Sequence, residues 1–140
     1  MEARLSLVTL SCKNIEATSQ FYKSLGWKET EFSKKNPDIF FYTMANGLIL
    51  CLYPKEELEK DTEVTINGNG FTLAWNAQNE KEQDEMLSLW QKNKGEIIRM
   101  PFDTPWGERV AYAKDPEGNI WEITYIEGFP LTKEGNLPIV

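Results

Sequence analysis

The chain contains no histidine. That removes the commonest general base at neutral pH, the commonest protein ligand for transition metals, and every nucleophile scheme that sets an imidazole beside serine or cysteine. Cysteine is nearly as scarce, with Cys12 and Cys51 the two in 140 residues. The opening "MEARLSLVTLSCKN" has neither a basic leader nor a long apolar stretch. The expectation is therefore a cytoplasmic protein with two reduced, separately buried thiols. No apolar run approaches the roughly 20 residues a membrane helix needs, so a membrane is not an expected partner. Positive charge is also in short supply: 15 Lys and Arg face 22 Asp and Glu, a formal charge of −7. The lysines are scattered among glutamates, which argues against a nucleic-acid or anionic surface. The expected partner is a small neutral or cationic molecule, or another protein.

What is present suffices for one globular domain with a real core, at 41% hydrophobic and 26% charged residues. "RLSLVTLSC" alternates and is rich in β formers, as a strand would be. "NIEATSQFYKSLG" then switches to helical spacing, with Asn14 as N-cap, Phe21, Tyr22 and Leu25 on one stripe, and Gly26 as the stop. Three extended stretches follow, "WKETEFS", "IFFYTMA" and "LILCLYP", the last two separated by the turn pair Asn46-Gly47. The second half repeats this order. "GFTLAWNA" reads as a strand, Asn79 and Glu82 give a capping-box pattern, and Met86, Leu87 and Trp90 form a helical stripe ended by Gly95. Strands "EIIRMPF", "ERVAYAK" and "NIWEITY" complete it. The expected fold is α+β: two βαβββ modules, residues 1–54 and 70–126, a linker at 55–69 with a short acidic helical turn, and an extended tail at 127–140.

Alternation divides the first and last strands of each module into two faces. One is apolar throughout: Val8 and Leu10; Leu48, Leu50 and Leu52; Phe71, Leu73 and Trp75; Trp121, Ile123 and Tyr125. It is expected to pack on the helices. The other is mixed: Leu7, Thr9 and Ser11; Ile49, Cys51 and Tyr53; Thr72, Ala74 and Asn76; Ile120, Glu122 and Thr124. Two substantial helices can cover one face of eight strands, leaving the mixed face open or covered by a partner chain.

The repeated βαβββ order, the segment "NIEATSQFYKSLGW" and above all "PWGERVAYAKDPEGNIWEITY" resemble the vicinal oxygen chelate superfamily of glyoxalases, extradiol dioxygenases and bleomycin-resistance proteins. "LYPKEEL" together with "TLAWN" resembles a large glyoxalase-like bacterial branch of it. The resemblance covers nearly the whole chain. It implies strands curved into an eight-stranded cup, with the mixed face inside and helices on the convex side, and often a homodimer. In metal-using members it implies one ligand from the first and one from the last strand of each module, typically His, Glu, His, Glu. The matching positions here hold Leu7, Cys51, Thr72 and Glu122. A divalent ion needs three or four donors; Leu offers none and a Thr hydroxyl is weak, so no metal and no cofactor is expected.

That leaves Glu122, a lone carboxylate among large apolar neighbours, as the centre of interest. Three roles are open to it: a solvated relic of a lost site hydrogen-bonded to Thr72 or Asn76, a contact for a ligand amine or hydroxyl, or a general base between apolar walls such as Leu7 and Ile120. Trp106 could stack on a flat ligand or pack at the rim. Tyr53 and Asn76 could orient a ligand or satisfy each other. Arg109 offers an anion contact or an ion pair with a nearby Glu, and Cys51 reads as a small buried hydrophobe sooner than a nucleophile. The functional expectation is metal-independent binding of a small aromatic or cationic molecule. The alternatives are a lyase or isomerase acting on a small carbonyl compound with Glu122 as base, and a dimeric interaction module without ligand.

Overall fold

The computed structural model describes residues 1–68, 70–105 and 107–138. Two units divide the chain, Met1–Gly68 and Asn69–Val140. The first runs β1 (Leu7–Cys12), α1 (Ile15–Ser24), α2 (Glu31–Lys34), β2 (Phe40–Thr43), β3 (Ile49–Pro54) and α3 (Lys55–Thr62). The second runs β4 (Leu73–Asn76), α4 (Glu80–Lys92), β5 (Glu96–Asp103), β6 (Glu108–Lys114) and β7 (Ile120–Ile126). The mixed α+β class is as expected. The count of strands is not: among the described residues there are seven, in a three-stranded sheet ordered β1-β3-β2 and a four-stranded sheet ordered β4-β7-β6-β5.

The missing strand is "WKETEFS", which begins extended and then turns into α2. Thr30 caps that helix by accepting from the Ser33 amide at 3.1 Å. The Ser33 hydroxyl is buried between Glu29 Oε1 at 2.7 Å and the Ile39 carbonyl at 3.1 Å. A Thr with a hydrogen-bonding residue three positions on offers the backbone a helical start that competes with pairing. A single antiparallel bridge between Glu29 and Tyr42 is all that forms of the expected strand.

The two main helices begin and end as their residues dictate. Asn14 accepts from Ala17 N at 3.1 Å, and Asn79 accepts from Glu82 N at 2.9 Å. Their C-terminal glycines serve different needs. Gly26 sits at φ +88°, a left-handed conformation that favours glycine. Gly95 is required by space, since a Cβ there would lie 2.1 Å from Trp90 Cδ1.

Each sheet has one face on its helix. In the first unit α1 packs on β3, burying Phe21, Tyr22, Leu10, Tyr42, Leu50 and Leu52. In the second, α4 packs on β7 and β5. It buries Met86, Leu87 and Trp90 against Trp121 and Ile123, and the Trp90 indole donates to the Lys114 carbonyl at 2.7 Å. Burying each large side chain of this kind stabilises by roughly 1.5–3 kcal/mol. Gln83, also fully buried, donates to the carbonyls of Arg109 at 2.8 Å and Ile123 at 2.7 Å, tying α4 to two strands at once.

Candidate functional site

The two sheets share a pairing scheme. In each, the first strand runs parallel to the last and the last is antiparallel to its hairpin partner. Register makes positions equivalent: Thr9, Cys51 and Phe41 form a row across the first sheet, and Ala74, Glu122 and Tyr112 the corresponding row across the second. Glu122 therefore occupies the place that Cys51 holds in the other unit.

In the second unit the row extends to β5 through Arg99, which pairs with Tyr112. The Tyr112 hydroxyl donates to Glu122 Oε1 at 3.4 Å, a loose bond that a better donor could displace. Phe102 stacks on Tyr112 with ring centroids 6.3 Å apart, and the Arg99 guanidinium lies 3.3 Å from the Phe102 centroid. Burial, and then the Glu122 charge, raise the Tyr112 phenol above its ordinary value, so it stays a proton donor throughout the physiological range. Ala74 beside Glu122 is exposed and small, leaving room on that flank. This arrangement is an anionic acceptor backed by aromatic rings on the side of the sheet away from α4, where Glu122 and Tyr112 are half-buried.

The remaining expected residues fall in several places. Asn76 lies in the next row, accepting from the buried Thr124 hydroxyl at 2.6 Å. Thr72 is exposed and precedes β4 by one residue, so the expected strand starts later than "GFTLAWNA" suggested. Neither Thr72 nor Asn76 is the partner of Glu122; Tyr112 is. Arg109 makes an ion pair, one of its two expected roles, with Asp84 in place of a Glu. It lies three residues before Tyr112, so on the opposite, α4 side, bonded to Gln83 Oε1 and to Asp84 Oδ1 at 3.1 Å. It is a bracket between helix and sheet, and its ion-pair partner is an Asp. Trp106 lies outside the described residues.

In the first unit Leu7 is 39% exposed at the start of β1, whereas Cys51 is buried on β3. Burial raises the Cys51 thiol above its usual value and outweighs the opposing hydrogen bond to Thr9, which suits an inert thiol and disfavours a thiolate ligand. Tyr53 donates to Asp61 on α3 at 2.9 Å, within its own unit. Its phenol is raised chiefly by that bond. A cleft of about 600 Å³ opens between α3 and the ends of β1 and β3, lined by Cys12, Lys13, Pro54, Lys55 and three glutamates. Among the described residues no aromatic ring lines it. Its Glu59 carboxylate already serves the Ile66 amide at 2.9 Å and Lys55 at 3.6 Å, which makes it the weaker candidate.

The residues at the family's ligand positions do not fit a divalent ion. Leu7 has no donor atom, Cys51 is buried with its thiol raised above the usual value, and Thr72 brings only a hydroxyl, so Glu122 is the one strong donor of the four. Among the described residues no group of three or more Cys, Asp or Glu is placed to hold a metal.

Tyr112, Phe102 and Arg99 are absent from the sequence-derived candidates because the strands "EIIRMPF" and "ERVAYAK" were not resolved into faces. A signal was available for Tyr112. A five-residue turn, "DPEGN", between two strands pairs Lys114 with Ile120, and counting back by two from each sets Tyr112 opposite Glu122. No comparable rule reaches Arg99, because irregular register between Ile97 and Arg99 and between Arg99 and Phe102 breaks the alternation of β5.

The sequence model of the Glyoxalase/Bleomycin resistance protein/Dioxygenase superfamily matches residues 4–123. No curated protein matches the chain significantly. Among solved structures, a glyoxalase-related enzyme from Fulvimarina pelagi is 28% identical with a TM-score of 0.87, and the match covers 98% of both chains. A glyoxalase/bleomycin resistance protein/dioxygenase family enzyme from Burkholderia phytofirmans PsJN is 22% identical, with a TM-score of 0.76 over 89% of this chain and 99% of that one. Lactoylglutathione lyase from Agrobacterium tumefaciens is 19% identical, with a TM-score of 0.70 over 89% and 95%. The last two likenesses speak for the fold alone.

Proposed function

The chain belongs to the glyoxalase/bleomycin resistance protein/dioxygenase superfamily, and from that premise we propose that it binds a small aromatic or cationic molecule without a metal, on the Glu122 face of its second unit. One observation carries this reading. The Glu122 carboxylate accepts a single long bond from Tyr112 and has no basic partner among the described residues, while stacked aromatic rings stand beside it. A flat ligand bearing an amine or hydroxyl could replace the tyrosine's loose bond with a charge-assisted one and gain contact with the rings. The protein is taken to act as a cytoplasmic homodimer, a state that light scattering on the purified chain would check.

Thermal-shift screening of dyes, antibiotics and aromatic amines in excess chelator tests the reading. The expected result is a stabiliser that is indifferent to chelator and loses its effect in Glu122→Gln. A broad library without a hit, or hits that need added divalent metal, would count against it.

A second reading follows from the Tyr112–Glu122 pair itself: a carboxylate base next to a protonated phenol is a sufficient set for enolisation of a small carbonyl compound, as in a lyase or isomerase. Turnover of such a compound that disappears with Glu122→Gln and falls strongly with Tyr112→Phe would favour this enzyme over a binding protein.

A further inference from the structure

The row of register partners across the second sheet reads Ala74, Glu122, Tyr112, Arg99. In chemical terms it is small, anionic, aromatic and cationic. Opposite charges on one face of a sheet would ordinarily be expected to neutralise each other or a neighbour. Here they do not. Arg99 is exposed, and among the described residues neither it nor Glu122 lies within salt-bridge distance of an opposite charge. Their α-carbons stand two strand spacings apart, about 10 Å, with Tyr112 between them. Arg99 is directed over the Phe102 ring, a placement that stacks the guanidinium and leaves its N–H donors without a hydrogen-bond partner among the described residues. In a chain of net charge −7, a local cation at the edge of an otherwise acidic molecule matters for any ligand that carries a negative group.

Resting on the binding reading above, we propose that this row recognises an amphoteric aromatic ligand. Its ring lies against Tyr112 and Phe102, its ammonium group meets Glu122, and its carboxylate or similar anion meets Arg99. Each contact alone is a solvent-exposed pair of modest strength. A rigid ligand that spans both satisfies two charges while losing rotational and translational freedom once, so the second contact adds to affinity at little further entropic cost.

Three probes separate the parts: 4-(aminomethyl)benzoate, which carries both charges, benzylamine, which carries only the cation, and benzoate, which carries only the anion. Calorimetric titration of the unmodified protein in chelator is expected to rank 4-(aminomethyl)benzoate about tenfold tighter than benzylamine, with benzoate weakest. Arg99→Gln should erase the difference in affinity between 4-(aminomethyl)benzoate and benzylamine. Glu122→Gln should weaken both amines. Lys114→Gln, a change at the next position of β6 on the same face, should alter none of them, and thermal midpoints of all three variants verify that they fold. Equal binding of benzylamine and 4-(aminomethyl)benzoate to the unmodified protein would overturn the inference while leaving metal-free cation binding intact. Loss of the carboxylate's contribution in Lys114→Gln in place of Arg99→Gln would overturn it as well. No binding by any probe would remove the inference together with the reading beneath it.

Discussion

The two units lay equivalent rows across equivalent sheets and fill them with different chemistry. Thr9, Cys51 and Phe41 make the first row neutral, with the thiol buried and raised and with the nearby Tyr53 already engaged by Asp61. Ala74, Glu122 and Tyr112 make the second row charged and hold it with one long hydrogen bond. Where the first unit has spent its polar groups internally, the second keeps an acceptor and a cation in reserve. A repeat fold does not need symmetrical use of its halves. One half can be given over to structure while the other keeps a polar row that its own side chains only partly satisfy.

The contrast extends to how the helices are anchored, and the largest expected effect breaks that anchor in the second unit. Trp90→Ala removes a fully buried indole and its bond to the Lys114 carbonyl, and should cost about 3–5 kcal/mol in urea unfolding. Next come the two helix-ending glycines. Gly95→Ala drives a methyl into Trp90 and should cost about 2–3 kcal/mol. Gly26→Ala meets open space and pays only for a left-handed backbone, about 1 kcal/mol. Equal costs would mean that both glycines serve the same purpose.

A pH effect belongs to the first unit. Burial pushes the Tyr42 phenol up to about 12, its hydroxyl lying 2.8 Å from Ser19 Oγ. Because the folded state holds this proton more tightly than the unfolded chain, the associated stability is complete below about pH 10. It is lost as pH rises from there towards about 12. Tyr42→Phe should therefore show a shallower alkaline decline in thermal midpoint than the parent. The smallest effect is on stability at the site: Glu122→Gln should change it by less than about 0.5 kcal/mol, since the carboxylate accepts only a 3.4 Å bond. A much larger loss would mark Glu122 as a structural residue and erase the proposed difference between the halves.

Much of this was legible from residue order. Alternation sorted β1, β3 and β7 correctly, as the burial of Leu10, Leu50, Leu52, Trp121 and Ile123 against the helices shows, because a strand covered on one face must alternate. Asn14 and Asn79 announced their helices through capping chemistry that acts over three residues. "WKETEFS" misled because its apolar spacing over so few residues suits either state, and a Thr30 cap with a buried Ser33 decided for a helical turn. Glu122 could be singled out, since a carboxylate in an apolar strand is conspicuous. Of its neighbours only Tyr112 follows from residue order, by counting back across the turn; Arg99 reaches the same face only through the irregular register of β5, and Arg109, equally prominent in sequence, falls out of phase onto α4.

The most direct test of a metal-free recognition face confined to one half is an amide NMR titration of the 16.2 kDa protein with benzylamine in excess chelator. The account predicts shifts clustered around Ala74, Tyr112 and Glu122, with the amides of Thr9, Phe41 and Cys51 unmoved and the whole pattern absent in Glu122→Gln. Shifts centred on the Cys51 row, or shifts that arise only once a divalent metal replaces the chelator, would contradict it.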